Sequence, residues 1–146
     1  MSTIKKHPVE FASAGDFEAM QKALRELAEK ADAMGEHAEA CVSAIRVFCN
    51  ETIISKRING ALRNCRERNY ASMVEDLRLA REYDSKTGFK LRGRVWEAIK
   101  MCYQEAMIHN LENGRKLISE SPLLTPNDRE EVLRSFEFLK TSNQTT

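Results

Sequence analysis

Apolar residues recur at alternating steps of three and four from position 17 to position 48. This is the a/d spacing of α-helices that pack side by side, so the stretch predicts helix faces that are buried against other helices. We call this set the apolar seam; it comprises Phe17, Met20, Leu24, Leu27, Ala31, Met34, Ala38, Cys41, Ile45 and Phe48.

Gly35 lies inside the apolar seam, and the backbone there is compatible with two structures. Glycine takes the left-handed C′ conformation freely and could end one helix before a second begins. Alternatively the helix runs through Gly35, at a cost of about 1 kcal/mol relative to alanine. The unbroken spacing favours one helix over residues 16–50. Such a helix would be about 50 Å long, which is more than a domain of this size needs and points to a partner chain.

Further apolar stripes predict helices along the rest of the chain. A stripe from Ile54 to Cys65 is interrupted by Asn59-Gly60, so a helix either stops at Ile58 or continues, kinked, to Arg68. Later helices are predicted over residues 70–83, 90–113 and 126–140, with Gly114 as a C-cap of the second. The last has the clearest start signal, with Thr125 as N-cap, Pro126 at the first helical position and Asp128 three residues after the cap.

The composition agrees with an all-α fold. Only 6 Gly and 3 Pro occur in 146 residues, and strand-like alternation is nearly absent. We expect one antiparallel bundle of about five helices, with one or two long helices, in a single domain over residues 15–140. Residues 1–14 are expected to be an N-terminal tail or docking arm, and residues 141–146 a disordered C-terminal tail.

The sequence predicts a cytoplasmic protein. No signal peptide and no apolar run of membrane-spanning length occur. The cysteines Cys41, Cys49, Cys65 and Cys102 are scattered within helical patterns, which is typical of buried thiols in a reducing compartment.

Residues that could support catalysis or bind a metal do not form a recognisable pattern. His37 and Cys41 are four apart and would share a helix face, but two ligands do not complete a metal site. Cys102 and His109 lie two turns apart on one predicted helix, too far for a nucleophile–base pair. No glycine-rich phosphate loop occurs. We therefore predict no catalytic, cofactor or metal site and a non-enzymatic protein.

The middle third of the chain is basic, although the net charge of the whole is only +1. Residues 51–100 hold 12 basic and 7 acidic residues, and two clusters flank Tyr70, Phe89 and Trp96. These clusters could neutralise phosphates of RNA or DNA while the aromatic rings stack on bases. Interleaved acidic residues favour a solvated face instead. The cations are Lys56, Arg57, Arg63, Arg66, Arg68, Lys86, Lys90, Arg92, Arg94 and Lys100.

The leading hypothesis is a helical protein–protein interaction module, an adaptor or regulatory protein, that uses the apolar seam. Its candidate partner-binding residues are Phe17, Leu24, Leu27, Met34 and Ile45. A second copy of the chain is the simplest partner, because isologous helix packing is common. In the competing interpretation, the apolar seam fills the core of its own chain. Nucleic-acid binding through residues 56–100 is the alternative function.

Overall fold

The computed structural model describes residues 7–144 of the chain, and side chains up to residue 137. All-α architecture is confirmed for this part, which holds helices and no strand. A bundle of about five helices is not confirmed, because the described residues form seven. These are α1 (Pro8–Ala14), α2 (Phe17–Asp32), α3 (Glu36–Arg66), α4 (Tyr70–Lys86), α5 (Arg92–His109), α6 (Leu111–Glu120) and α7 (Pro126–Gln144).

The continuous helix predicted over residues 16–50 is wrong, because the chain breaks at Gly35. Gly35 has a φ of 98°, in the left-handed region that favours glycine, and α2 and α3 lie on either side of it. The spacing of the apolar seam continues across the break, but its burial does not. Helix α3 buries Val42 and Cys49, each one position after a seam residue.

Helix α3 passes through Asn59-Gly60 and ends at Arg66, so the predicted stop at Ile58 is wrong and the continuation through this pair is confirmed. Gly60 is buried, and a Cβ atom there would lie 2.9 Å from Oδ2 of Asp76 in α4. The same Oδ2 accepts a hydrogen bond of 2.8 Å from the side-chain amide of Asn64. Gly60 therefore allows two helices to approach closely rather than forming a turn.

The helix predicted over residues 90–113 is two helices. Helix α5 ends at His109, and the side chain of Asn110 caps α6 by accepting a 3.0 Å hydrogen bond from the amide of Asn113. Gly114 is not a C-cap. It is buried inside α6, where a Cβ atom would lie 2.6 Å from Cα of Met107.

The start of α7 is confirmed in its details. The amide of Thr125 donates to the Asp128 carboxylate and the amide of Asp128 donates to the Thr125 hydroxyl, both at 3.1 Å. This reciprocal pair is a capping box. Helix α7 continues to Gln144, through residues 141–144 of the predicted disordered tail. Residues 145–146 lie outside the described part of the chain.

Backbone contacts divide the chain into two units, and unit 1 comprises described residues 7–59 and 79–92. Within it, α1 packs against α2, where the sequence predicted a tail or docking arm, and Ala12 is fully buried. The α2 part of the apolar seam fills this core with Phe17, Met20, Leu24 and Ala31. Residues 1–6 of the predicted arm lie outside the described residues.

Unit 2 comprises described residues 60–78 and 93–144. Helix α5 supplies more of its core than any other helix, as its apolar spacing predicted, with Ile99, Tyr103 and Met107 at most 2% exposed. The hydroxyl of Tyr103 is hydrogen-bonded to that of Ser121, and the Arg129 guanidinium donates to the carbonyl of Ser121 at 3.1 Å. The single domain expected over residues 15–140 stays a prediction. Of the helices in the described part, none has the length and apolar character needed to cross a membrane.

Candidate interaction surface

The first half of α3 has one buried and one exposed face. Val42, Cys49 and Ile53 are between 0 and 8% exposed, and their spacing places them on one side of the helix within unit 1. A soluble helix usually carries charged and polar residues on the side opposite its core. Helix α3 does not follow this rule.

Five apolar residues lie exposed on the other face of α3, at Ala40, Cys41, Ala44, Val47 and Phe48. We call this set the α3 stripe. Val47 and Phe48 lie seven residues after Ala40 and Cys41, and Ala44 is three or four residues from each of them, the spacing of a helix face that contacts another helix. Val47 is 47% exposed and Phe48 is 55% exposed. The α3 stripe is therefore a contiguous apolar surface on a regular helix.

Two polar residues lie at the ends of the α3 stripe. His37 precedes Ala40 by three positions, Glu51 follows Phe48 by three positions, and both are exposed. The stripe and its ends span about 21 Å along the helix axis at 1.5 Å per residue. One end thus presents an imidazole and the other a carboxylate.

The five residues predicted to bind a partner have different environments. Phe17 and Leu24 are 4% and 1% exposed and belong to the core of unit 1. Leu27 and Ile45 are half-buried, whereas Met34, just before the helix break, is 75% exposed. The apolar seam therefore fills core in α2 and reaches the surface around Gly35 and in α3. Its spacing gave no indication of this division, because the break at Gly35 changes which face of α3 points inward.

The predicted basic residues also divide into two groups. Four contact oxygen atoms of their own chain. Lys56 donates a hydrogen bond to the carbonyl of Ser13 (2.7 Å) and Arg57 donates one to the carbonyl of Gly15 (3.3 Å). Lys86 forms an ion pair with the Glu82 carboxylate (3.3 Å), and Lys100 forms one with the Glu97 carboxylate (3.0 Å). The others are exposed, namely Arg63, Arg66, Arg68 and Arg94 in unit 2 and Lys90 and Arg92 in unit 1. Part of the basic character of the middle third therefore stabilises the fold.

Phe89 is the most exposed aromatic residue near these cations, at 54% exposure. It has a φ of 62°, which is rare for a residue with a side chain. Asp84, only 2% exposed, holds the loop: its carboxylate accepts from the amide of Leu91 and its carbonyl from the amide of Phe89, both at 2.8 Å. The loop thus presents an aromatic ring next to Lys90.

Unit 2 contains one group of polar side chains that sequence reasoning missed. The Tyr70 hydroxyl lies 3.3 Å from Nδ1 of His109, and Nε2 of His109 lies 3.5 Å from the Glu105 carboxylate. Burial raises the pKa of Tyr70, so the hydroxyl stays protonated and is not activated as a nucleophile. The group links the start of α4 to the end of α5. The four-residue spacing of Glu105 and His109 is a signal that could have indicated this pair, but nothing in the sequence indicated Tyr70.

The buried thiols of unit 2 are also poor nucleophiles, because their pKa values are raised. The Cys65 thiol donates to the carbonyl of Cys102 at 3.4 Å. Burial, the largest cause, raises the pKa of Cys102 to about 12 and raises that of Cys65 as well. A thiolate nucleophile needs a lowered pKa, so these residues do not support nucleophilic catalysis.

A surface pocket of about 450 Å³ lies in unit 1 beside the ring of Tyr83. This ring stacks on Phe17 with centroids 4.3 Å apart, and Glu18, Glu82 and Lys86 form part of the wall. Lys86 lies 3.8 Å from Glu18 and 3.3 Å from Glu82, so these charges are paired with one another. The charges of the wall thus contact one another, and the pocket by itself indicates no ligand.

Among the described residues, no three His, Cys, Asp or Glu side chains come together as a metal site would require. His37 and Cys41, the pair that shares a helix face, are both exposed on α3. The α3 stripe is therefore the feature that most clearly departs from the surface of an ordinary helical protein. Comparison with protein-family models, with curated proteins and with solved structures finds no match to this chain.

Proposed function

We propose that this protein is a non-enzymatic helical interaction module that binds a protein partner through the α3 stripe. The observation that carries the proposal is the exposure of Val47 and Phe48 on a regular helix whose opposite face is already buried in unit 1. An apolar helix face of this kind docks in a groove or on another helix. An adaptor or regulatory role fits such a surface.

The energy available from the α3 stripe is modest and suits a reversible contact. Fully burying a Val or Phe side chain is worth about 1.5–3 kcal/mol. Val47 and Phe48 are about half exposed, so each has roughly 1 kcal/mol still to gain on docking. The smaller residues add contact area and allow a partner helix to approach closely.

Replacing Phe48→Asp tests the proposal, because it places a charge in the stripe without emptying the core. Ile108→Asp is the matched control, since Ile108 is 65% exposed on α5, outside the α3 stripe. Solution mass by light scattering and affinity capture from cells are measured for the wild type and both variants. We expect Phe48→Asp alone to lose partners, with both variants keeping the helical circular dichroism of the wild type. Equal mass and equal capture for all three proteins would contradict the proposal.

The proposal places the module in the cytoplasm. All four cysteines are free, and three of them are buried, as expected for thiols kept reduced. Cell fractionation, with the protein detected in each fraction by an antibody, tests this placement. Recovery in a secreted fraction would contradict it.

The alternative function, RNA or DNA binding, has one observation in its favour. Phe89 is exposed on a loop that Asp84 holds in place, and the exposed cations Lys90 and Arg92 follow it in the chain. A base could stack on the ring while the cations contact phosphates. Binding of a single-stranded oligonucleotide should then weaken steeply with salt and be lost in Phe89→Ala. Binding that Phe89→Ala leaves unchanged would refute this alternative.

A further inference from the structure

We infer that the partner of the α3 stripe is a second copy of this chain, with the two α3 helices antiparallel and Ala44 on the twofold axis. The inference rests on the proposed function and identifies the one partner that binds the α3 stripe. It follows from the order of residue sizes and charges along the exposed face of α3. That face is complementary to itself when reversed.

The sizes match in the antiparallel arrangement. With Ala44 facing its own counterpart, residues whose numbers add to 88 lie opposite each other across the axis. Ala40 then faces Phe48 of the second copy, and Cys41 faces Val47. Each large side chain meets a small one, and Ala44 at the centre allows the helix axes to come within about 8–10 Å.

The charges at the ends match as well. The same pairing places His37 opposite Glu51 of the second copy, and the symmetry creates this contact twice. An imidazole N–H can donate to a carboxylate, and the attraction increases when the imidazole is protonated. Both residues are exposed at the ends of the α3 stripe, where they would form a polar rim around an apolar centre.

A parallel arrangement lacks both kinds of match. It would place Phe48 against Phe48 and Ala40 against Ala40, which leaves the helices too far apart at one end to touch at the other. It would also place Glu51 beside Glu51, a like-charge contact that opposes association. The antiparallel arrangement is therefore the one that the α3 stripe favours.

Cysteine cross-linking distinguishes the arrangements, because Cys41 is the exposed thiol among the described cysteines. In the antiparallel dimer the two Cys41 residues are offset by six positions, about 9 Å along the axis, which is too far for a disulfide. Ala44→Cys instead places two thiols on the twofold axis. Arg46→Cys is the matched control, since position 46 is exposed but lies about 200° around the helix from position 44.

The experiment combines light scattering over a range of concentrations with oxidation of the full chain by a mild copper oxidant. We expect a concentration-dependent dimer in the wild type and a covalent dimer in Ala44→Cys. The wild type and Arg46→Cys should give no covalent dimer. Disulfide formation between wild-type Cys41 residues would indicate a parallel dimer and overturn the inference. A strictly monomeric wild type would also overturn it.

A charge exchange gives a second test that does not depend on thiol chemistry. His37→Glu places two carboxylates opposite each other and should raise the dimer dissociation constant at least about tenfold. Adding Glu51→Lys to the same chain should restore association, because each pair is again attractive. Failure of the double variant to recover would count against the proposed register.

The outcomes separate this inference from the proposed function. A monomeric wild type whose capture of another protein is lost in Phe48→Asp overturns the homodimer and leaves the interaction module standing. A monomeric wild type with no partner that depends on Phe48 overturns both.

Discussion

Gly114 provides a sharp test of the packing in unit 2, because two effects of opposite sign meet there. Replacing Gly114→Ala in the middle of α6 improves helix propensity by about 1 kcal/mol. The new Cβ atom, however, would lie 2.6 Å from Cα and 2.7 Å from the backbone nitrogen of Met107. Those are backbone atoms of α5, so no side-chain rotation relieves the clash, and the two helices must separate.

The clash should outweigh the gain in propensity. Overpacking of a core costs about 1–3 kcal/mol and occasionally more, and contact with backbone belongs at the upper end of that range. We expect Gly114→Ala to lower the free energy of unfolding by about 2 kcal/mol after the helix gain is subtracted. For a chain of this size the thermal midpoint would fall by about 4–8 °C.

Gly93 in α5 is the matched control, because a Cβ atom there would meet nothing within 4 Å. Gly93→Ala should therefore stabilise the protein, by up to about 1 kcal/mol. Urea denaturation followed by far-UV circular dichroism measures both free energies on the same chain. A Gly114→Ala protein as stable as the wild type would show that α5 and α6 do not pack as closely as the structure has them.

Three further predictions concern other contacts in unit 2. Thr125→Ala removes half of the capping box with Asp128 and should lower stability by about 0.5–2 kcal/mol in the same urea assay, whereas an unchanged midpoint would count against the cap. Ser121→Ala removes the buried partner of the Tyr103 hydroxyl and should cost about 1–3 kcal/mol, and a neutral result would mean that this hydrogen bond contributes nothing. The pKa of Cys102 is about 12 in the folded chain against 9.0 ordinarily, so ionisation favours the unfolded state as pH rises above 9. Urea midpoints should therefore fall between pH 9 and 12 more in the wild type than in Cys102→Ala, and parallel curves would contradict the assignment.

Local signals in the sequence predicted local structure well. Thr125, Pro126 and Asp128 act on one another within a single turn, so their spacing alone determines the cap of α7. The apolar face of α5 was predicted for the same reason, since a period of 3.6 reports directly which side of a helix is buried. All-α architecture followed from these local patterns.

Glycine was the main source of error, because its role depends on what lies opposite. Gly35 ends a helix, whereas Gly60 and Gly114 lie inside helices where neighbouring atoms leave no room for a Cβ. The sequence around each is compatible with a turn, a cap or a close approach. Only the three-dimensional neighbours, Asp76 and Met107, distinguish them.

The candidate surface was predicted in part. The apolar seam correctly marked apolar positions, but its spacing runs across Gly35 and gave no sign that Leu24 is core while Phe48 is exposed. Val42 and Cys49 are the buried residues of this part of α3. Cys41 and Phe48, one position before each, are therefore exposed. The apolar spacing of one helix therefore does not predict which face of the next helix is buried.

The reactivity of Cys41 tests the central claim most directly, because the thiol that reports on the α3 stripe is already present in the native chain. Among the described cysteines it is exposed in the α3 stripe, while Cys49, Cys65 and Cys102 are buried. The rate at which a small maleimide alkylates Cys41 is measured on the native chain at increasing protein concentration. The rate should fall as a second copy covers the stripe, and Phe48→Asp should keep the fast rate throughout. A wild-type rate that stays constant across the whole range would contradict the claim that a second copy covers the α3 stripe.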